Sequence, residues 1–178
     1  MLAGLDVGLH SLYDFPDIQE IREEGHSYLE NALKKAKTVS EFTGEMVLAD
    51  DSGLEVDVLN GAPGIYSSRY GGDDATDESN LKKLLKKLQG VPPEKRGAFF
   101  HCVLVFYKPD GTHEVFTGRW EGRIHDAPLG EGGFGYDPVF FLPDRGVTVS
   151  QLPADIKNII SHRGQAFAKF KERLAAGF

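Results

Sequence analysis

Two periodicities alternate along this chain. Apolar residues recur at helical spacing as Leu29, Ala32, Leu33, Ala36 and Val39. Ser27 and Glu30 place a Ser-x-x-Glu capping box before that run, and Gly44 ends it, so a helix is predicted. Thr76 caps a second helix, whose first turn carries Asp77 and Glu78, where the helix dipole favours acids. Leu81, Leu84, Leu85 and Leu88 form its inner stripe, and its lysines form a solvated face. The last stretch is helical twice over, as "PADIKNII" and then a run from His162 capped by Ser161.

Between the helices the pattern changes to short apolar runs. "MVLA" reads as a buried strand that delivers Asp50 and Asp51 to its end. A Ser-Gly turn follows, then a second strand, "LEVDVL", closed by the turn residues "NGAPG". "GAFFHCVLVFY" and "THEVFTGRWEGRI" are two longer strands, joined through "KPDG" as a hairpin. "GEGGFGYDPVFFLPD" is a glycine loop leading into a short apolar strand. The opening "MLAGL" has the pattern of a helix tail ending at Gly4, with "DVGLHSL" as a short strand after it. This order of helices and strands predicts an α/β domain spanning residues 1–178, with a mixed sheet because the hairpin is antiparallel.

Composition narrows the function classes. A formal charge of −7 argues against a general nucleic-acid binder, whose surface is normally basic. The single cysteine, Cys102, excludes an intrachain disulfide and a cysteine-rich zinc site, and its apolar run marks it as a buried strand residue. No run is long enough to span a bilayer, and the first basic residue is Arg22, a poor start for a signal peptide. A cytoplasmic enzyme without a membrane partner is expected.

Three clusters could carry chemistry. Asp50 and Asp51 are adjacent carboxylates whose repulsion a cation would offset, and acids at a strand end in an α/β sheet lie where ligands bind. Oxygen ligands suit magnesium or manganese, and Glu23 and Glu24 are further candidates. Taken alone, the aspartate pair is better explained by a solvated turn in which Asp51 caps and Asp50 faces water, and a solvated loop explains the glutamates equally well. Gly130, Gly132 and Gly135 match a dinucleotide fingerprint, but a strand and Pro138 follow where that motif requires a helix. What remains is a loop carrying Phe134, able to stack on a base, and Asp137. Lys157, His162 and Arg163 gather donors near a helix start, which favours anions. Arg69 lies close to the acids in sequence, where holding the loop by an ion pair and touching a ligand are equal readings.

In their order and wording, "GHSYLENALKKA", "LADDSGLEVDVLNGAPGIYSSRYGG", "GGFGYDPVFF" and "SHRGQA" closely resemble the inosine triphosphate pyrophosphatase family, from about Glu23 to the C-terminus. That resemblance implies hydrolysis of the non-standard purine nucleotides ITP, dITP and XTP to monophosphate and pyrophosphate. It implies an elongated mixed sheet with flanking helices, forming two lobes around a central cleft, a magnesium cofactor and a homodimer. Asp51 would be the proton acceptor and a metal-linked residue, with Asp50 and one of Glu23 or Glu24 supporting the ion. Ser52 would contact substrate, and Arg69 is carried with it as a candidate. Phe134, Gly135, Tyr136 and Asp137 would form the base pocket. Lys157, His162 and Arg163 would read the keto oxygen at purine C6. The family opens with a strand and a T-x-N-x-x-K loop that binds the triphosphate, and this sequence has no such segment. An N-terminally incomplete domain is therefore implied, and with it a second reading: a purine-nucleotide-binding remnant without catalysis.

Overall fold

The computed structural model describes residues 7–72 and 74–177. The helix tail expected at "MLAGL" lies outside them. Residues 7–11 form no strand, and a single 3-10 turn, Leu12–Asp14, follows. Gly8 has little side chain to pair or pack, and the Ser11 backbone N–H and hydroxyl are taken by the Asp14 carboxylate instead of a ladder.

Helix α1 (Tyr28–Thr43) starts at Ser27, whose hydroxyl accepts from the Glu30 N–H at 3.2 Å, and stops at Gly44 in the left-handed conformation. The Glu30 carboxylate reaches back to His26 N–H at 2.7 Å, one residue before the cap. Helix α2 (Asp77–Lys87) is capped by Thr76, as its sequence predicts. Helices α3 (Ala154–Ile160) and α4 (His162–Ala175) meet at Ser161, whose hydroxyl accepts from Gly164 N–H.

The main departure lies at the two aspartates. One unbroken strand, β1 (Val47–Val56), runs through Asp50, Asp51, Ser52 and Gly53, where a turn between two strands was expected. Gly53 is there for space, not for bending: a Cβ would overlap the Gly64 carbonyl oxygen, because the 3-10 segment Gly64–Arg69 lies directly against the strand. Strands β2 (Gly97–Tyr107) and β3 (His113–Ile124) form the long predicted hairpin. Strands β4 (Phe140–Leu142) and β5 (Val147–Thr148) complete a sheet of order β1-β2-β3-β4-β5. The α/β class holds, but every pairing among the described strands is antiparallel rather than mixed. The segment carrying α2 brings the chain back beside β1 in the reverse direction, so no parallel crossover forms.

Side chains alternate across the sheet, which gives each face its own partners. Even-numbered residues of β1 and β2 face α4 and the β4–β5 end. Cys102, Leu104 and Phe106 pack there with Ala166 and Phe170 of α4. Further along the same face Leu54, Val56, Ala98 and Phe100 join Leu84 and Leu88 of α2 and Val139 and Phe140. Odd-numbered Val103, Val105 and Tyr107 face α1, against Tyr28, Ala32 and Ala36. The core is thus split between the two faces, with its even-face part divided between two ends of the sheet, and the cavity described next lies at that junction.

Candidate active site

A cavity of about 170 Å³ opens where α4, α3, the glycine loop and the start of α2 converge on β1 and β2. Ser52, Leu54 and Phe100 line it from the sheet. Gly118 on β3 lets α4 begin this close: a Cβ there would overlap the His162 carbonyl oxygen. His162 stacks on Phe100, with ring centroids 4.8 Å apart and planes 12° from parallel. Burial and the neighbouring Arg163 push its pKa down to about 3, so the ring is neutral near pH 7. Its Nδ1 is buried without a hydrogen-bond partner among the described residues.

Phe134 stands at the mouth, 62 % exposed, although aromatic rings are usually the first side chains a core absorbs. Lys157 Nζ lies 4.4 Å and the Arg163 guanidinium carbon 5.8 Å from its ring centroid, so two cations flank the ring. Lys157 also pairs with the buried Asp137, whose carboxylate accepts from Phe134 N–H at 2.9 Å. Gly135 N–H donates to Asp77 at 2.7 Å. Tyr136 turns its ring into the core and donates its hydroxyl to the Ser67 carbonyl at 2.8 Å, which makes it a strut as well as a wall.

Asp50 and Asp51 do not share a site. Asp50 lies on the even face, where Arg163 Nε donates to it at 2.9 Å and Ser52 Oγ at 2.9 Å. Asp51 is on the odd face, 7 % exposed, accepting from Asn31 Nδ2 at 3.0 Å. Lys35 Nζ stands between two carboxylates, 2.7 Å from Glu23 and 3.5 Å from Asp51. Burial raises the Asp51 pKa; the bond from Asn31 and the Lys35 charge only partly oppose that shift, and nearby Glu23 adds to it. Arg69 belongs to this cluster and not to the cavity, donating to the Glu23 carbonyl at 2.9 Å and meeting its carboxylate at 3.3 Å. Glu24 points elsewhere, to Lys34 on the exposed side of α1.

Sequence reasoning passed over Lys35, Asn31 and Asp77. Asn31 carried no signal, because its helical neighbours Lys34 and Lys35 mark it as part of the polar face. Asp77 carried none, because a first-turn acid already has a local explanation.

The two clusters can do different things. The cavity offers an exposed aromatic surface edged by cations, which suits a flat, electron-rich ring, and the Asp51 cluster offers dehydrated carboxylates beside a cation. The Ham1 family model matches residues 1–173. The chain belongs to the Ham1 family. Among Ham1 relatives, a dITP/XTP pyrophosphatase of Geobacter sulfurreducens is 50% identical over 174 residues, 98% of this chain and 87% of the relative. One of the same name from Listeria innocua is 49% identical, covering 98% and 86%. A solved HAM1 protein from Coxiella burnetii superposes with a TM-score of 0.92 at 39% identity, over 99% of this chain and 90% of that one.

Proposed function

We propose that this Ham1 protein hydrolyses non-standard purine nucleoside triphosphates, dITP, ITP and XTP, to the monophosphate and pyrophosphate. The observation that carries the reading is the division of labour across β1: a base-sized cavity with an exposed aromatic on one face, and a buried carboxylate held beside a lysine on the other. A purine stacks on Phe134, and Lys157 and Arg163 donate to its keto oxygen. Adenine would present an amino group there and leave those donors unmatched, a strong ground for rejection. Ser52 is the hinge between the regions, because it follows Asp51 in sequence yet faces the cavity. The triphosphate reaches Asp51 across the outer edge of β1, the first strand of the sheet order.

Asp51 takes the proton of the attacking water, and burial makes it a better base than a solvated aspartate. The bond between the α and β phosphates breaks, and pyrophosphate leaves. Lys35 and Arg69 supply positive charge on that side, and Arg163 is held in orientation by Asp50. Magnesium, or manganese in its place, fits this donor set: Glu23 and Asp51 are oxygen ligands already turned toward one cation, the Lys35 ammonium. Among the described residues no three acidic or imidazole side chains converge on one point, so Glu23 and Asp51 would be the side chains that hold the ion. When bound, the ion offsets phosphate charge. Glu23, rather than Glu24, is the second acid of that site. The enzyme works in the cytoplasm as a homodimer, and no described helix is long and apolar enough to cross a membrane.

Pyrophosphate release from ITP, XTP and ATP with magnesium tests the reading. Turnover of ITP and XTP at least a hundredfold above ATP is expected. Equal turnover of ATP would overturn the base-reading role, and binding of ITP without turnover would leave a nucleotide-binding protein.

A further inference from the structure

Phe134 is the surface on which the proposed base rests, yet little of the core holds it. The residue is 62 % exposed, so the position of its ring depends on the backbone of the glycine loop. Two consecutive N–H groups of that loop are each held by a carboxylate. Phe134 N–H donates to Asp137, three residues on, and Gly135 N–H donates at 2.7 Å to Asp77, 58 residues away at the start of α2. Gly135 sits at φ +59°, so this N–H belongs to a turn rather than to a strand or helix ladder. The adjacent first-turn acid, Glu78, instead faces solvent and pairs with Lys82 on its own helix.

We infer that Asp77 is a positioning residue for purine recognition, fixing the Phe134 platform through the Gly135 N–H. The inference rests on the proposed nucleotide hydrolysis for its catalytic readout. A carboxylate is the strongest side-chain acceptor for a backbone N–H, and from the cavity wall it keeps the loop closed against α2. Without it, Phe134 samples positions in which the stacked geometry is lost. Substrate binding weakens while the chemistry at Asp51, on the other face of β1, continues.

The experiment compares Asp77→Ala, Asp77→Asn and, as a helix-charge control, Glu78→Gln. Amide hydrogen exchange of residues 130–137 is measured on the free proteins, and KM and kcat for ITP on the same samples. Asp77→Ala is expected to speed loop exchange and raise KM about tenfold with kcat within about threefold. Asp77→Asn retains an acceptor oxygen and should fall between the wild type and Asp77→Ala. Glu78→Gln should leave both readouts at the wild-type value. Unchanged loop exchange in Asp77→Ala overturns the inference, as does faster exchange with KM unaltered. A lower melting temperature as the sole effect assigns Asp77 to helix capping and overturns it too. A wild-type protein inert toward ITP and XTP would sink the proposed function. Loop exchange, with the affinity for inosine monophosphate in place of KM, would then decide the role of Asp77 separately.

Discussion

The two faces of β1 are built on opposite principles. On the even face the polar groups form an open fan: Lys157, Arg163 and Phe134 stand around a cavity, and the carboxylates Asp50 and Asp137 hold the cations from behind. On the odd face the arrangement is closed, with Asp51 buried and bonded to Asn31 and Lys35. An open fan selects a shape. A closed, dehydrated carboxylate is suited to moving a proton. Two neighbouring aspartates therefore acquire different surroundings through a one-residue step along an extended chain.

The sharpest way to separate the faces is to disable one and watch the other. Asp51→Asn keeps the volume and the Asn31 contact while removing the base, so kcat for ITP should fall about 10³-fold or more with binding of the product monophosphate unchanged. Retained magnesium-dependent turnover would place the proton acceptor elsewhere. Phe134→Ala works on the opposite face: loss of the stacking surface should raise KM about tenfold to a hundredfold, with a much smaller change in kcat. A fall in kcat as large as that for Asp51→Asn would mean that the regions are not separable.

The remaining expected effect falls on stability rather than on turnover. His162 is neutral in the fold, with a pKa lowered to about 3 from an unfolded value near 6.5. Its contribution is fully present above pH 6.5 and is lost progressively as pH falls toward 3, because the unfolded chain takes up the proton first. Between pH 7 and 4.5 the wild type should lose about 2–3 kcal/mol more than His162→Phe, measured by urea unfolding at each pH. Parallel pH profiles would show that the imidazole is not held neutral.

How much of this was legible in the sequence depended on distance along the chain. Ser27, Gly44, Thr76 and Ser161 act within four residues, and the helix ends they mark are those observed. The β2–β3 hairpin is equally local. The Ser-Gly pair after the aspartates failed as a turn signal because the demand on Gly53 comes from Gly64, packed against the strand. With that turn read in, the apolar pattern could not place Asp50 and Asp51 on opposite faces; only the family resemblance gave them separate roles. The different partners of Glu23 and Glu24 likewise depend on residues far from them, Lys35 of α1 and Arg69, 46 residues beyond Glu23. Phe134 to Asp137, Lys157, His162 and Arg163 do line one cavity, whereas Phe100 and Asp77 on its wall read in the sequence only as strand and helix residues.

Cys102 has a practical consequence. It is fully buried in β2, and burial raises its thiol pKa to about 11. The folded chain is therefore chemically silent toward maleimides and related dyes near neutral pH, since the reactive thiolate is scarce and out of reach. A reporter cysteine introduced at the exposed Ile159, on the short helix beside the cavity, would carry the label alone. The native thiol would meanwhile become a clock for global opening, because reagent reaches it only when the sheet comes apart.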